Sequence, residues 1–569
     1  MNNLLWVHTL KPNELGIRKG EKLGGGKSFR LPQLEEVMSL FPPLNEANNY
    51  TQRISLNFVE NGEIKETFEN LEFTDARKNN PDRVEHKIYL NNMGEYIGLE
   101  GSDKVFQPYV TLGFYKNAAN QICFEVLPEG SILENIKASK TDALIDVVQI
   151  SPQKYNFKGV TPLSKPFLLL AGISGTGKTR FVREQAKASG QLNETYCLTS
   201  VRPDWHEPSD LLGYISRLSN GGQAQYITTD VLQFIGKAWR AIADGNLVIE
   251  AKDINNQGEC LVVSGDSDSL NAQLPYWLCL DEMNLAPVEQ YFADYLSVLE
   301  TREWQWQGNS FIYRCDPLLK AATIKEVADK EKLRKDLGFE ASNYDDLWAL
   351  ICKYGLSIPF NLMVAGTVNM DETTHGFSRK VIDRALSFDF GEFFPNDYAQ
   401  FFSPENENKA LSYPVYSHAK KELLTNTIDS DGQRSIDFLS VVNGILAKTP
   451  FELAYRALNE LLLSVISANP QDEYALKAVW DDFLMCKVLP RIEGDIDKLS
   501  KGGEDKNILE QLDTLLSDQF KTIWDGKVRP DLYRKSLEND QPIAIKCRAK
   551  AKLDWMRAQL ENGFTSFWP

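Results

Sequence analysis

The chain has 569 residues, of which 43% are hydrophobic and 25% charged, so the composition is that of a globular protein and the length predicts two to four domains. The net charge of -17 excludes a chain that is basic throughout, as a nucleic-acid coat is, but it leaves room for a local basic site. No run of about eighteen apolar residues occurs, so no membrane span is predicted.

The first residues and the cysteines indicate the cytoplasm. The opening MNNLLWVHTL does not have the layout of a signal peptide. Eight cysteines are scattered singly, with no paired spacing, which favours neither a zinc site nor a disulfide framework and suits a reducing compartment.

Residues 1–130 are predicted to form a β-rich domain. Short runs of β-branched and aromatic residues are separated by Asn and Gly turns, and these runs are TQRISLNFV, HKIYL, YVTLGFY and QICFEVL. A helical linker is expected at 131–165.

Residues 166–390 are predicted to form an α/β core, because strand-like apolar runs alternate with helical patterns. The runs are FLLLAG, TYCLTS, YWLCLDE and FNLMVAGT, and a charged, helix-prone segment near 318–355 interrupts them. Residues 391–569 are expected to be mostly helical, with LNELLLSVI and LEQLDTLLSDQF as amphipathic examples.

Two stretches combine glycines with a lysine and a hydroxyl, and only one fits a phosphate-binding loop. AGISGTGKTRF (171–181) matches Gly-x-x-x-x-Gly-Lys-Ser/Thr with Gly172, Gly177, Lys178 and Thr179, and Ser174, Gly175 and Thr176 lie between them. In such a loop the glycines let backbone N–H groups surround the phosphates, the lysine reaches the outer phosphates and the hydroxyl binds Mg²⁺. GEKLGGGKSFR (20–30) has Glu21 where the first glycine is required, so this stretch is not a P-loop.

Two further apolar runs end in polar residues that suit nucleotide hydrolysis. YWLCLDEMN (276–284) places Asp281 and Glu282 at the end of a strand, where ligands bind in α/β sheets. Asp281 would hold Mg²⁺ through water, and Glu282 would orient and deprotonate the attacking water. NLMVAGTVNMDETT (361–374) carries Asn369 at the end of another strand.

The segments 281–300 and 366–385 resemble the McrB-like branch of AAA+ proteins, the motor subunits of modification-dependent restriction systems. VRPDWHEPSDLLGY, FELAYRALNELLL and KVLPRIEGD extend the resemblance to roughly residues 160–500. The resemblance implies an α/β AAA+ core (a P-loop parallel sheet) with a C-terminal helical lid, preceded by a β-rich N-terminal domain. It also implies that Asn369 is a sensor for the attacking water and the γ-phosphate, on a strand between the P-loop strand and the acidic strand.

Three arginines receive roles from the resemblance. Arg384 stands where the family has an arginine finger that reaches a neighbouring subunit's nucleotide, and Arg379 is the second candidate for that finger. Arg456 matches the sensor arginine of the lid. The alternatives are a salt bridge of Arg384 within its own domain and a plain surface role for Arg456.

The sequence does not decide whether the nucleotide is GTP or ATP. The family's sensor is Met-Asn-x-x-Asp, whereas this chain has Val368-Asn369-Met370-Asp371-Glu372. The chain also has no Asn-Lys-x-Asp guanine-binding motif.

The N-terminal domain is expected to bind double-stranded DNA. The glycine-rich basic stretch would approach DNA phosphates closely, and its candidate contacts are Arg18, Lys19, Lys22, Lys27 and Arg30, with Arg77 and Lys78 behind them. The alternative is a solvated loop. An aromatic pocket for a flipped base would come from Trp6, Phe29, Tyr89 or Tyr96.

The sequence and the resemblance together predict an oligomeric AAA+ NTPase, expected as a hexameric ring, that drives a separate McrC-like nuclease. One alternative is a MoxR-like or chaperone-type remodeller with a protein-binding N-terminal domain. Another is a self-contained nuclease, for which Asp75 and Glu85-His86-Lys87 have a loose Mg²⁺-nuclease spacing.

Overall fold

The structure is a computed structural model that describes residues 6–9, 17–18, 21–22, 28–31, 40–42, 50–60, 63–75, 86–89, 111–116, 121–127, 160–189, 191–218, 223–245, 247–254, 258–370, 377–500 and 506–568. The chain divides into two compact units, Met1–Val148 and Gln149–Pro569. The predicted helical linker lies outside the described residues as far as residue 159.

The first unit contains a mostly antiparallel sheet of seven strands. The described strands of this unit, in the large sheet and outside it, are β1 (Trp6–Thr9), β2 (Ile17–Arg18), β3 (Glu21–Lys22), β4 (Ser28–Leu31), β5 (Thr51–Glu60), β6 (Glu63–Asp75), β7 (His86–Tyr89), β8 (Thr111–Lys116) and β9 (Ile122–Leu127). The sheet order is β1-β8-β9-β5-β6-β7-β4, in which only β5 and β9 are parallel neighbours, and β2 pairs with β3 separately. The four predicted strand runs are therefore confirmed, whereas β6 was not predicted.

The long strand β6 shows why this sheet has two different faces. Phe68 and Phe73 are buried, whereas Glu69 and Glu72, which each adjoin one of these rings along the strand, are exposed and half-buried, respectively. Side chains alternate between the faces of a strand, so one face of β6 packs on the core and the other meets water. The exposed face of β6 is acidic.

The second unit begins with a short strand and continues as alternating strands and helices. Its strands are β10 (Thr161–Pro162), β11 (Phe167–Gly172), β12 (Tyr196–Ser200), β13 (Gly213–Ser216), β14 (Gln225–Thr228), β15 (Val248–Asp253), β16 (Glu259–Asp266), β17 (Tyr276–Asp281), β18 (Glu303–Gln307), β19 (Ser310–Arg314), β20 (Pro317–Leu319), β21 (Leu356–Ser357), β22 (Leu362–Asn369), β23 (Leu386–Asp389), β24 (Asn406–Asn408), β25 (Leu411–Ser412), β26 (Val528–Ser536) and β27 (Pro542–Lys546). Its helices are α1 (Lys178–Lys187), α2 (Leu192–Thr195), α3 (Pro208–Leu212), α4 (Asp230–Asp244), α5 (Ser267–Asn271), α6 (Val288–Tyr291), α7 (Ala293–Leu299), α8 (Ala321–Glu326), α9 (Lys330–Asp336), α10 (Asp345–Tyr354), α11 (Arg379–Ile382), α12 (Phe390–Phe393), α13 (Lys421–Leu424), α14 (Gln433–Leu446), α15 (Tyr455–Ala468), α16 (Glu473–Phe483), α17 (Ile496–Leu499), α18 (Ile508–Gln519) and α19 (Arg548–Glu561).

A parallel sheet of five strands forms the centre of this unit, in the order β12-β17-β22-β11-β23. The apolar runs in β11, β17 and β22 are buried almost throughout. Such continuous burial is expected of parallel strands that are covered on both faces. Because the strands are parallel, their carboxyl ends meet at one edge, and the register sets Gly172 level with Asn369 there.

Smaller sheets surround the central one. β15, β16, β19 and β18 form an antiparallel sheet in that order, and β13 pairs with β14. The predicted interruption near 318–355 is present as helices α8, α9 and α10 between the paired strands β20 and β21.

The region after residue 390 is mostly helical, as expected, but it also contains a sheet of β24, β26 and β27 that was not predicted.

A network of buried charged residues anchors the hairpin that β26 and β27 form. Arg529 on β26 donates from Nε to Asp481 Oδ2 at 2.9 Å and also contacts Asp482. Arg548 donates to Asp482 Oδ1 at 2.7 Å and to Asp531 Oδ2 at 3.0 Å. All five side chains are almost fully buried, so each depends on its partners for compensation.

None of the helices in the described part of the chain is both long and apolar enough to cross a membrane. All eight cysteines are free.

Candidate functional site

The loop after β11 has the backbone conformation of an anion cradle. Gly175 and Gly177 have φ values of 79° and 94°, in the left-handed region that favours glycine. No described atom lies within 4 Å of the position that a Cβ would take at either glycine, so the space over the loop is open. The loop ends at the N-terminus of α1, whose N–H groups attract anions.

Lys178 is buried beneath this loop. Its Nζ donates hydrogen bonds to the carbonyl oxygens of Gly172 at 2.9 Å and Ile173 at 2.7 Å. The ammonium is therefore held next to the loop backbone, where a phosphate chain would lie.

A chain of hydroxyl and carboxylate oxygens joins the loop to the acidic strand. Thr179 Oγ1 donates to Asp281 Oδ1 at 2.6 Å, and Thr367 Oγ1 donates to the same oxygen at 2.7 Å. Thr367 was not predicted. It lies two residues before Asn369 on β22, so the alternation of strand side chains could have identified it as sharing the face of Asn369.

Glu282 adopts an unusual backbone conformation directly after the acidic strand. Its φ of 54° is left-handed, which is costly for a residue other than glycine and is often found at functional sites. Its N–H donates to Thr367 Oγ1 at 3.0 Å, and its Oε1 lies 3.4 Å from Asn369 Nδ2. Asn284 in turn donates to the Asn369 carbonyl oxygen at 3.1 Å. The structure therefore brings Asn369 and the acidic pair together.

The oxygens of Thr179 and Asp281 fit a magnesium ion that arrives with phosphates. Mg²⁺ takes oxygen ligands, keeps several waters and is usually bound through one or two protein groups together with the phosphates. Among the described residues, no group of three or more His, Cys, Asp or Glu side chains could hold a metal by itself. Thr179 and Asp281 would be the protein ligands of such a site.

The segment after β23 also contacts the loop, and this was not predicted. Asn396 Nδ2 donates to the Thr176 carbonyl oxygen at 3.2 Å. The rings of Phe181 on α1 and Phe394 lie 4.3 Å apart. These contacts attach the segment that leads into the helical region to the phosphate-binding loop and to α1.

The three predicted arginines do not lie at this loop. Arg384 Nε is 3.2 Å from Glu300 Oε1, and Arg456 donates from Nη1 to the same oxygen at 3.1 Å. Arg379 contacts the Pro450 carbonyl oxygen and lies over the Phe451 ring at 5.4 Å.

The register explains why Arg384 cannot reach its own loop. Leu386, the first residue of β23, pairs with Leu168, whereas the loop follows Gly172. Four residues of strand correspond to roughly 13 Å. Arg384 lies before β23 and hence at the opposite, amino edge of the sheet.

The predicted DNA contacts are described only in part. Arg18 and Lys22 lie on the hairpin of β2 and β3, and Arg30 on β4 pairs in register with Lys87 on β7. Lys19, Lys27, Arg77 and Lys78 lie outside the described residues, as do Tyr96, Asp371 and Glu372.

The register of β6 and β7 separates two members of the loose nuclease pattern. Asp75 pairs with His86, whereas Lys87 pairs with Thr74. Asp75 and Lys87 are therefore on opposite faces of the sheet, because neighbouring positions alternate. A metal-dependent nuclease needs these groups to converge, so the register disfavours this alternative; Glu85 lies outside the described residues.

A family model described as Domain of unknown function (DUF8727) matches residues 412–564. That stretch begins within β25, after the nucleotide-type site, and it includes Arg456 and the buried ion network around Arg529. A comparison with curated proteins finds no match.

Proposed function

We propose that the chain is an oligomeric NTPase of the AAA+ class that hydrolyses ATP or GTP with Mg²⁺. The hydrogen bond of 2.6 Å between Thr179 Oγ1 and Asp281 Oδ1 carries the proposal, because it joins the P-loop hydroxyl to the acidic strand. The position of β22, which ends at Asn369 between β11 and β17, supports the AAA+ class.

Each side chain then has a defined task. Lys178 and the loop N–H groups bind the outer phosphates, and Thr179 with Asp281 would hold Mg²⁺, which neutralises charge on the phosphates. Glu282 and Asn369 face each other, so they can position a water and remove its proton. The hydroxyl of Thr367 fixes the carboxylate of Asp281 and the backbone N–H of Glu282 through hydrogen bonds.

The wider proposal is a cytoplasmic ring, expected as a hexamer, that binds double-stranded DNA and drives an McrC-like nuclease. It rests on the resemblance, and on the register that pairs two basic residues, Arg30 and Lys87, on neighbouring strands. The alternative of a MoxR-like or chaperone-type remodeller is favoured by one observation, the acidic exposed face of β6, which would repel DNA.

Hydrolysis assays on the full chain with ATP and with GTP test the proposal. Glu282→Gln should keep nucleotide binding and lower turnover by about 10²-fold or more, because the water loses its base. Lys178→Ala should weaken binding as well. Parent-rate hydrolysis by the Gln variant would show that the acidic pair is misassigned. Retardation of duplex DNA by the chain, weakening steeply with salt, would favour the DNA-binding motor over the protein remodeller.

A further inference from the structure

A cavity of about 260 Å³ lies in the second unit at the amino edge of the central sheet. Its lining includes Lys165, just before β11, and Leu386, the first residue of β23. Leu386 pairs with Leu168 on β11, whereas the phosphate-binding loop follows Gly172, so roughly 13 Å of strand separates the two places. This edge cavity is therefore distinct from the nucleotide-type site.

One wall of the edge cavity carries two residues that lie opposite each other on antiparallel segments. β24 pairs with β26 in a register that sets Asn408 against Arg534. The next residue, Lys409, donates its N–H to the Tyr533 carbonyl oxygen at 2.8 Å, and both residues line the cavity. Directly opposite side chains lie on the same face of a sheet with Cβ atoms about 5 Å apart, so the ammonium and the phenol can reach one ligand group together.

These two groups lack polar partners in the part of the chain that the structure describes. Neither the Lys409 ammonium nor the Tyr533 hydroxyl makes a hydrogen bond or an ion pair there, although both residues are half-buried. Burial lowers the pKa of Lys409, and the charge of Asp531 opposes the shift. Burial raises the pKa of Tyr533, so its hydroxyl keeps a proton to donate. An anion would supply the compensation that a lysine in such surroundings normally has.

The carboxylates in the lining are already neutralised, so they would not repel an anion. Glu460 lies 2.9 Å from Lys165 Nζ and 2.7 Å from Lys487 Nζ. Asp482 belongs to the buried ion network around Arg529. Within the described residues, the edge cavity therefore presents one charge without a counter-ion, and that charge is positive.

The rest of the lining suits a small ligand with an apolar body. Leu386, Phe483 and Leu532 provide apolar surface, and Ser464 and Ser467 provide hydroxyls from neighbouring positions on one face of α15. A cavity of about 150 Å³ is enough for a benzene ring. The edge cavity, at about 260 Å³, thus has room for one ring and a charged head group.

We propose that the edge cavity binds a small organic anion, whose carboxylate or phosphate group accepts hydrogen bonds from Lys409 and Tyr533 while its apolar body fills the remainder. The ligand would touch the α/β core at Leu386 and the helical region at Ser467, so its binding stabilises the junction between them. This inference goes beyond the proposed function and does not depend on nucleotide hydrolysis.

Ligand titration of the full chain at neutral pH tests the inference, with benzoate and phenyl phosphate as probes and benzyl alcohol as their uncharged counterpart. All proteins carry Lys178→Ala, so that the phosphate-binding loop does not compete for the probes. At least one anion should bind with a Kd of about 1 mM or tighter and raise the Tm. The tighter of the two identifies the head group, and benzyl alcohol should bind at least about 10-fold more weakly.

Two variants locate the bound anion. Lys409→Met should weaken binding by about 10-fold or more, because it removes the charge and keeps most of the side-chain volume. Tyr533→Phe should weaken binding by about 5-fold, because it removes only the hydroxyl. Lys546→Met is the matched control, since this lysine is exposed on β27, and it should leave the affinity unchanged.

Two results would overturn the inference. One is that neither anion binds at concentrations up to about 10 mM. The other is equal affinity with and without Lys409→Met, which would place the ligand elsewhere on the chain. Neither result bears on nucleotide hydrolysis by the parent chain, so failure here is distinguishable from failure of the proposed function.

Discussion

Thr367 and Asp281 are joined by a hydrogen bond of 2.7 Å, although 86 residues separate them along the chain. The hydroxyl of Thr367 also accepts the N–H of Glu282 at 3.0 Å. The buried side chain of Thr367 thus binds Asp281 through its carboxylate and Glu282 through its backbone N–H. The strained conformation of Glu282 is stabilised by this contact and by its position beside Asn369.

We expect Thr367→Val to lower kcat by about 10-fold or more, because both acids lose their fixed position. Nucleotide affinity should change little, since the loop and Lys178 are untouched. Steady-state kinetics and nucleotide titration measure the two effects. Thr367→Ser should restore the rate, and Thr195→Val, which removes a buried hydroxyl away from the site, should keep it. A parent-like kcat in the Val variant would reduce Thr367 to a packing residue.

Lys165 should make stability depend on pH in the alkaline range. Burial lowers the pKa of Lys165 to about 8 from 10.5, although Glu460 opposes the shift. When the pH lies between these two pKa values, Lys165 keeps its proton in the unfolded chain and has lost it in the folded chain. The free energy of unfolding should therefore rise with pH by about 1.4 kcal/mol per pH unit from this residue.

Urea denaturation of the parent and of Lys165→Met at a series of pH values isolates that contribution. The parent should gain stability relative to the variant between about pH 8 and 10. A difference that stays constant over this range would show that the lysine does not lose its proton there.

The basic residues near the sheet edge of the first unit should govern the salt dependence of DNA binding. Each phosphate contact adds about -0.9 to the slope of log affinity against log salt. Replacing Arg30 and Lys87 together by Ala should flatten that slope by about two units, whatever the DNA sequence. Lys65→Ala, on the acidic face of β6, is the matched control. Equal slopes for the double variant and the parent would favour the solvated-loop interpretation and the protein-binding alternative.

The ion network around Arg529 should be a large contributor to stability. Arg529→Met leaves Asp481 and Asp482 buried with less compensating charge, which should lower the free energy of unfolding by about 3–5 kcal/mol. Arg557→Met breaks a more exposed pair with Asp513 and should cost at most about 1 kcal/mol. Denaturation curves of both variants measure the two losses in free energy of unfolding. Similar losses would contradict the prediction that the buried ion network contributes more than the exposed pair.

Several features could be recognised from sequence because they depend on neighbours along the chain. The spacing of Gly172, Gly177, Lys178 and Thr179 selects one loop over the similar stretch at 20–30. The apolar runs in β11, β17 and β22 predict buried parallel strands, since such strands are covered on both faces. Their ends identify Asp281, Glu282 and Asn369, which the sheet then brings together.

The missed elements have patterns that resemble exposed segments. β6 has the sequence EIKETFENLEFTD, in which acids on the solvent face obscure the buried aromatics on the other. β26 has the sequence VRPDLYRKS, whose Arg529 is buried only because Asp481 and Asp482 meet it from α16. A charged residue gives no sign in sequence that its partner lies in another element.

Tertiary structure alone decided which side chains of distant elements meet. Thr367 touches Asp281 because β22 adjoins β17, and Glu300 receives both Arg384 and Arg456 because α7, the turn before β23 and α15 converge at one point. Periodicity and motif spacing are set by local backbone geometry, so the sequence by itself determines strands, loops and residue types. The pairing of a carboxylate with an arginine depends on long-range packing, so it becomes visible only when the chain is folded.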